Sequence, residues 1–262
     1  MTVPELGLVE FTRLQDLPTD APLVVLGPAL GTSVTNLYAP LVPLLSGRFH
    51  VVGWDLPGHG VSAPAQEFTV ADLAEGVARA VTQRAGPGAW HAMGTSIGGA
   101  VVQQQLAAGS SHLASATLVA TANYFPDPAS WRERAELVAS AGTPTQVVTC
   151  AKAWFEADFL ARHSELCTPL LHDLQGADRV SYAAACRALA DYDLRGVTAP
   201  AAVPCAVVTG TEDAMVGPDV ARPLAQALRA RCEIVDGAAH LVPLAAPELL
   251  ERLLTDLIAA AR

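Results

Sequence analysis

The stretch Gly94-Thr95-Ser96-Ile97-Gly98-Gly99 constrains the fold of this chain more than any other. Before it, Ala89-Trp90-His91-Ala92-Met93 is short and mostly apolar, the pattern of a buried strand. After it, Ala100 to Ala108 contains no breaker and reads as a helix. A serine between two glycines, in the pattern G-x-S-x-G, therefore falls at a strand-to-helix corner. Such a corner strains the serine backbone, and Gly94 and Gly98 leave out side chains that would strike the strand and helix. The strain aims the Ser96 hydroxyl outward. It also sets the Ile97 N–H at a helix N-terminus, where it can meet a developing negative charge. A glycine-rich turn with a capping serine has the same five residues, so the surroundings must decide.

Those surroundings alternate strand with helix. Pro22 to Gly27 is a near-continuous apolar run, as in a parallel strand covered on both faces, and it ends in the small-residue loop Pro28-Ala29-Leu30-Gly31-Thr32-Ser33. Residues 1–20 start irregularly, with an edge-strand alternation at Leu6 to Phe11. Asn36 to Leu45 reads as a helix bent or interrupted by Pro40 and Pro43. Phe49 to Trp54 is the next strand, followed by the turn-rich Asp55-Leu56-Pro57-Gly58-His59-Gly60. Phe68 to Arg84 carries a helical stripe (Val70, Leu73, Val77, Val81), with Thr69 and Asp72 as a capping pair and Gly86-Pro87-Gly88 as its stop. Ser115 to Thr121 is a further buried strand. This order predicts a doubly wound, mostly parallel α/β sheet with right-handed crossovers. Ligands of such sheets bind at the carboxyl ends of the strands, where the loops after Leu26, Trp54, Met93 and Thr121 all open.

From Pro128 to about Arg195 the rhythm changes to helical segments bearing Trp131, Trp154, Phe155, Phe159 and Tyr182. They break at Gly142-Thr143-Pro144, Thr168-Pro169 and Gly176. An inserted helical cap over the active edge is expected, its aromatics lining a pocket or forming the cap's own core. Sheet grammar resumes at Val203 to Thr209, with a helix over Asp219 to Ala230, a strand over Cys232 to Val235 and a closing helix over Pro247 to Ala261. The expected organisation is one α/β domain over 1–262, with a core of 1–127 and 196–262 and a cap of about 128–195.

Composition narrows the classes. The chain has 262 residues, 51% hydrophobic, yet no run approaches the ~20 apolar residues of a membrane helix. Its net charge of −10 argues against nucleic acid or an anionic membrane as partner. The N-terminus shows no signal-peptide pattern, and the 5 cysteines form no C-x-x-C pair. Reduced thiols in the cytoplasm, with neither a disulfide frame nor a metal site, are the expectation; oligomeric state is left open.

A free serine hydroxyl is a poor nucleophile at neutral pH. It needs a base, and the base needs an acid to hold its tautomer. Ser96, Asp213 and His240 occur in the order Ser, Asp, His, each just past an expected strand end. Glu212 and Asp236 are rivals for the acid. His59, between two glycines, is a rival base that more naturally holds a turn.

With those loops in view, the chain resembles the α/β-hydrolase superfamily over essentially its whole length. The elbow Gly94–Gly98, the loop Gly210-Thr211-Glu212-Asp213 and the loop Gly237-Ala238-Ala239-His240 carry the resemblance. Leu30-Gly31-Thr32, Trp54 to Gly60, Trp131-Arg132-Glu133-Arg134 and Asp191-Tyr192-Asp193-Leu194-Arg195 make it similar to 3-oxoadipate enol-lactonases in particular. Pro28-Ala29 stands where many relatives carry His-Gly, which leaves the Leu30 N–H able to serve. The resemblance implies an acyl-enzyme mechanism on a small carboxylated enol-lactone, with no metal or organic cofactor. It implies an oxyanion hole from the Leu30 and Ile97 N–H groups. Trp131 and Arg134 are the expected substrate contacts, with Arg132 as rival for the carboxylate and Lys152 as a surface residue. A general carboxylesterase and a non-catalytic ligand-binding protein are the competing readings.

Overall fold

Each apolar run pairs with its neighbours to make a 7-stranded sheet of order β1-β3-β2-β4-β5-β6-β7. The computed structural model describes residues 3–197 and 203–261. Met1-Thr2, the stretch 198–202 within the expected second core segment, and Arg262 lie outside the described residues. The strands are β1 (Leu8–Glu10), β2 (Leu23–Gly27), β3 (His50–Trp54), β4 (Trp90–Thr95), β5 (Leu113–Val119), β6 (Cys205–Gly210) and β7 (Arg231–Val235). Only β1, the edge strand, runs antiparallel, pairing Leu8 with Trp54; the others are parallel. Strands β3, β4 and β6, mainly apolar, are buried at every position, as parallel strands covered on both faces are.

Helices fill both faces. They are α1 (Val34–Leu37), α2 (Val42–Leu45), α3 (Val70–Ala85), α4 (Ile97–Ala107), α5 (Pro128–Ala141), α6 (Val147–Trp154), α7 (Ala157–Arg162), α8 (Ser164–Gly176), α9 (Arg179–Asp191), α10 (Pro218–Leu228), α11 (Val242–Ala245) and α12 (Pro247–Ala260). The Thr69–Asp72 capping box of α3 is present in both directions, and Gly86, at φ 88°, ends that helix. Helix α4 is buried along nearly its whole length, so no polar face shows in its sequence.

The helical stretch expected over Asn36 to Leu45 is interrupted, as its prolines implied: α1 and α2 are separate, with Pro40 between them and Pro43 in the first turn of α2. Two other expectations need correction. The break expected at Thr168-Pro169 does not occur. Helix α8 runs through Pro169, because burial of Cys167, Leu170 and Leu174 on one face outweighs a lost N–H. Strand β5 stops at Val119 rather than Thr121, because Ala120 turns to φ 46° while its N–H reaches the Val208 carbonyl at 2.7 Å. Helices α5 to α9 occupy the interval between β5 and β6, and the bridge Tyr124–Asp193 returns the chain to the sheet. Among the described residues no helix is long and apolar enough to cross a membrane.

Candidate active site

The parallel register brings the relevant loops to one edge. Gly27 pairs with Gly94, Thr95 with Val119, and Gly210 with Val235, so β2, β4, β5, β6 and β7 all end together. The loops holding Leu30, Ser96, Thr121, Asp213 and His240 leave from that edge.

Ser96 sits at φ 57° and ψ −118°, outside the regions an L-residue prefers. Strain of this kind costs about 1–3 kcal/mol and persists only where its surroundings enforce it. Here the Ser96 N–H donates to the Val119 carbonyl at 2.9 Å, and the Thr121 hydroxyl donates to the Ser96 carbonyl at 2.8 Å. A Cβ on Gly94 would strike the Gly98 carbonyl, and one on Gly98 would lie 2.6 Å from the Pro28 oxygen. The two glycines are therefore required by contact, as the sequence pattern implied. The Gly98 N–H donates to that same Pro28 oxygen at 3.0 Å, which fastens the first turn of α4 to the loop after β2. That places Leu30 beside the elbow. The Ile97 N–H heads α4, where a helix has no acceptor of its own, and the Leu30 N–H has no protein acceptor among the described residues.

Asp213 and His240 form a pair. His240 Nδ1 donates to Asp213 Oδ2 at 2.8 Å. The other carboxylate oxygen, Oδ1, accepts the Met215 and Val216 N–H groups at 2.9 and 3.1 Å. Burial works to raise the Asp213 pKa, but the imidazole and the two amides outweigh it and hold the carboxyl below its ordinary value. The carboxylate fixes the tautomer: with the proton on Nδ1, Nε2 is left as the acceptor. Ser96, Asp213 and His240 are 5%, 5% and 3% exposed. No hydrogen bond joins Ser96 to the imidazole among the described residues. In unliganded hydrolases this contact is commonly long and tightens with substrate. The rival acids are elsewhere, since Glu212 and Asp236 are both exposed.

His59 is no base. Its Nδ1 donates to the Pro57 carbonyl at 2.9 Å, and its Nε2 accepts the Gly31 N–H at 3.3 Å. The turn that carries it is locked by Asp55, whose carboxylate accepts the Val34 and Val61 N–H groups at 2.7 and 3.0 Å.

The two arginines of α5 part company. Arg132 is exposed and pairs with Asp191 at 2.6 Å. Arg134 turns inward. Its guanidinium lies 5.4 Å from the centroids of both the Trp131 and Tyr182 rings. One amino group donates to Cys150 Sγ at 3.0 Å and to the Tyr182 hydroxyl. Its Nε–H is buried with no partner, and no carboxylate pairs with it among the described residues. A guanidinium cannot shed its proton, so this is a partly buried cation with no carboxylate partner among the described residues. Trp131 is buried and meets Phe125 edge-on at 6.0 Å. Lys152 is exposed, as expected.

Tyr182 and Trp154 were among the aromatics expected to line a pocket or to form a core of their own, whereas Cys150 carried no such expectation. Trp154, at the end of α6, touches both halves. A Cβ on Gly31 would lie 3.3 Å from its ring, and its carbonyl accepts the Leu241 N–H at 3.2 Å. Helix α6 thus rests on both the Leu30 loop and the His240 loop. Only the aromatic character of Tyr182 and Trp154 was visible beforehand, and nothing marked Cys150, because the contacts that place them come from other segments of the chain. Among the described residues no group of three or more His, Cys, Asp or Glu is placed to hold a metal ion.

Known proteins share this architecture. The crystal structure of the enol-lactonase from Burkholderia xenovorans LB400 superposes with a TM-score of 0.88 at 26% identity, covering 97% of this chain and 96% of that one. A thermophilic esterase from Thermogutta terrifontis shares the fold, with a TM-score of 0.84 at 19% identity over 98% of this chain and 93% of that one. In sequence, 3-oxoadipate enol-lactonase 1 of Acinetobacter baylyi is 28% identical over 196 residues, 75% of this chain and 73% of that protein. The model of the alpha/beta hydrolase family matches residues 24–253. With the seven-stranded sheet and the elbow, this match makes the chain a member of the alpha/beta hydrolase family.

Proposed function

We propose that this hydrolase opens a carboxylated enol-lactone, 3-oxoadipate enol-lactone to 3-oxoadipate, through an acyl-enzyme on Ser96. The observation that carries the reading is Arg134, an inward-facing guanidinium held by two aromatic faces and facing no carboxylate of its own. A neutral ester offers such a group only an uncharged acceptor. A carboxylate gives it a two-point, charge-assisted partner in a dry setting.

His240 Nε2 removes the Ser96 proton as the hydroxyl attacks the lactone carbonyl, and Asp213 steadies the imidazolium that forms. The tetrahedral oxyanion is received by the Leu30 and Ile97 N–H groups, each worth about 3 kcal/mol by comparison with oxyanion-donor deletions. Collapse breaks the ring C–O bond. The departing enolate takes the proton from His240 and becomes the ketone. A water, deprotonated by His240, then attacks the acyl-enzyme and frees Ser96. Every step is proton transfer and acyl transfer, within reach of these side chains. Residues 128–195 act as the cap that bears Trp131 and Arg134, and the 26–28% identical enol-lactonases support the substrate class. The five free cysteines suit a reducing, cytoplasmic setting.

The test is to compare kcat/KM for 3-oxoadipate enol-lactone and for a neutral aryl ester of similar size. A clear preference for the lactone supports the reading. Preference for the neutral ester makes the protein a general carboxylesterase of the same fold.

A further inference from the structure

His59 lies wholly inside the protein and uses all of its polar capacity. Its Nδ1–H donates to the Pro57 carbonyl at 2.9 Å, so the Nε2 lone pair is free to accept, and it takes the Gly31 N–H at 3.3 Å. Gly31 follows Leu30 directly and sits at φ 88°. The peptide before Leu30 is fixed separately. The Ala29 carbonyl accepts the Thr32 N–H at 3.2 Å and the Thr32 hydroxyl at 2.9 Å. In a trans peptide the N–H points opposite to the carbonyl, so Thr32 sets the direction of the Leu30 N–H. His59 sets the next peptide plane. With both planes held, the two backbone torsions of Leu30 have no freedom left.

The other side of the imidazole faces the cap. Its ring stacks on Tyr182 with centroids 6.0 Å apart and planes inclined by 22°. The Tyr182 hydroxyl is the one that accepts from Arg134. A continuous set of contacts therefore runs from Arg134 through Tyr182 and His59 to Gly31 and Leu30.

We propose that His59 is a positioning residue for the hydrolysis: its unprotonated Nε2 holds the Gly31 amide, aims the Leu30 N–H at the reacting carbonyl and ties that loop to the aromatic box around Arg134. This rests on the reading of Leu30 as an oxyanion donor. Burial lowers the His59 pKa, against the pull of the Pro57 carbonyl and the Asp173 and Asp178 carboxylates, which favours the neutral ring the contact needs. The role differs from holding the turn. Turn-holding uses Nδ1 and Pro57, whereas positioning uses Nε2 and Gly31.

Two near-isosteres separate the roles. In His59→Asn the side-chain amide can still donate to Pro57 from the Nδ1 position, but nothing reaches Gly31. In His59→Gln the amide oxygen can take the place of Nε2. Steady-state kinetics on the enol-lactone and on a neutral aryl ester, with thermal unfolding as a check on folding, give the readout. For His59→Asn, kcat should fall at least about tenfold on both substrates with KM little changed, against the ~10²–10³-fold known for outright loss of an oxyanion donor. His59→Gln should recover most of that loss. A folded His59→Asn with wild-type kcat, or a folded His59→Gln as slow as His59→Asn, overturns the proposal. A measurement on the wild type guards against variants that fail to fold. Nitrogen-15 NMR should show Nε2 unprotonated and moving when an arylboronic acid adds to Ser96, and a proton found on Nε2 overturns the proposal. A wild type that hydrolyses neither substrate removes the hydrolase reading itself and is distinct from both results.

Discussion

The imidazole of His240 and the carboxylate of Asp213 meet at 2.8 Å, both almost fully out of solvent. A hydrogen bond in that setting does more than attract: it decides which ring nitrogen is left as an acceptor. The Asp213→Asn variant presents an amide whose NH₂ favours the opposite tautomer. Its kcat should fall about 10⁴-fold, as for a triad whose acid is amidated with geometry kept. Stopped-flow ester hydrolysis with the variant's thermal unfolding measures it; a loss under tenfold would mean the pair is structural only.

Arg134 carries the substrate assignment. Arg134→Ala should raise KM for a carboxylated lactone about 10–100-fold, the equivalent of the ~1.5–3 kcal/mol typical of hydrogen bonds to charged groups. The neutral ester should be nearly unaffected. Arg132→Ala, which removes an exposed pair with Asp191, should change neither. Equal losses on both substrates in the Arg134 variant would show that it holds up the cap rather than the substrate.

Much of this was legible in the sequence. The elbow was, because its G-x-S-x-G pattern is local, and a Cβ on Gly94 would meet Gly98 and Gly99 within the same turn, although the contact that excludes one on Gly98 comes from Gly27 and Pro28 across the sheet. The succession of strands along the chain followed from apolar runs that local patterning reveals, and the loops of Asp213 and His240 followed from the strands, while the order of the strands in the sheet did not. What stayed hidden depends on contacts between distant segments. The choice between Arg132 and Arg134 is made by Asp191 and Tyr182, 59 and 48 residues further along the chain. The persistence of α8 through Pro169 depends on tertiary burial, and the part of His59 depends on Gly31 across the fold.

The elbow should be intolerant of a single methyl. On Gly98 a Cβ would lie 2.6–2.7 Å from backbone atoms of Gly27 and Pro28, which cannot swing aside as a side chain would. Gly98→Ala should cost about 2–4 kcal/mol, in the range of severe single substitutions, and lower activity with it. Gly88→Ala, where a Cβ meets nothing within 4 Å, serves as the control and should leave both unchanged. Chemical denaturation of the two variants settles the comparison.

Acid should destabilise the fold in two stages. His59 has a lowered folded pKa, caused first by burial, so its ring stays neutral in the native state. The unfolded chain takes up that proton first, and stability declines as pH falls below the ordinary histidine value of about 6.5. Asp213 also has a lowered folded pKa. Its contribution is present above the ordinary aspartate value of about 3.9 and is lost as pH falls through the folded one. Melting temperatures between about pH 7 and 5 should fall for the wild type and fall less for His59→Gln; parallel curves would contradict the first stage.

Covalent labelling reads out the proposed activation of Ser96 by His240. A fluorophosphonate should add one phosphonyl group per chain, located on Ser96 by peptide mass spectrometry. Labelling should be absent on the same timescale in His240→Ala that is otherwise folded. Equal labelling of that variant, or a label found on another residue, would contradict the account.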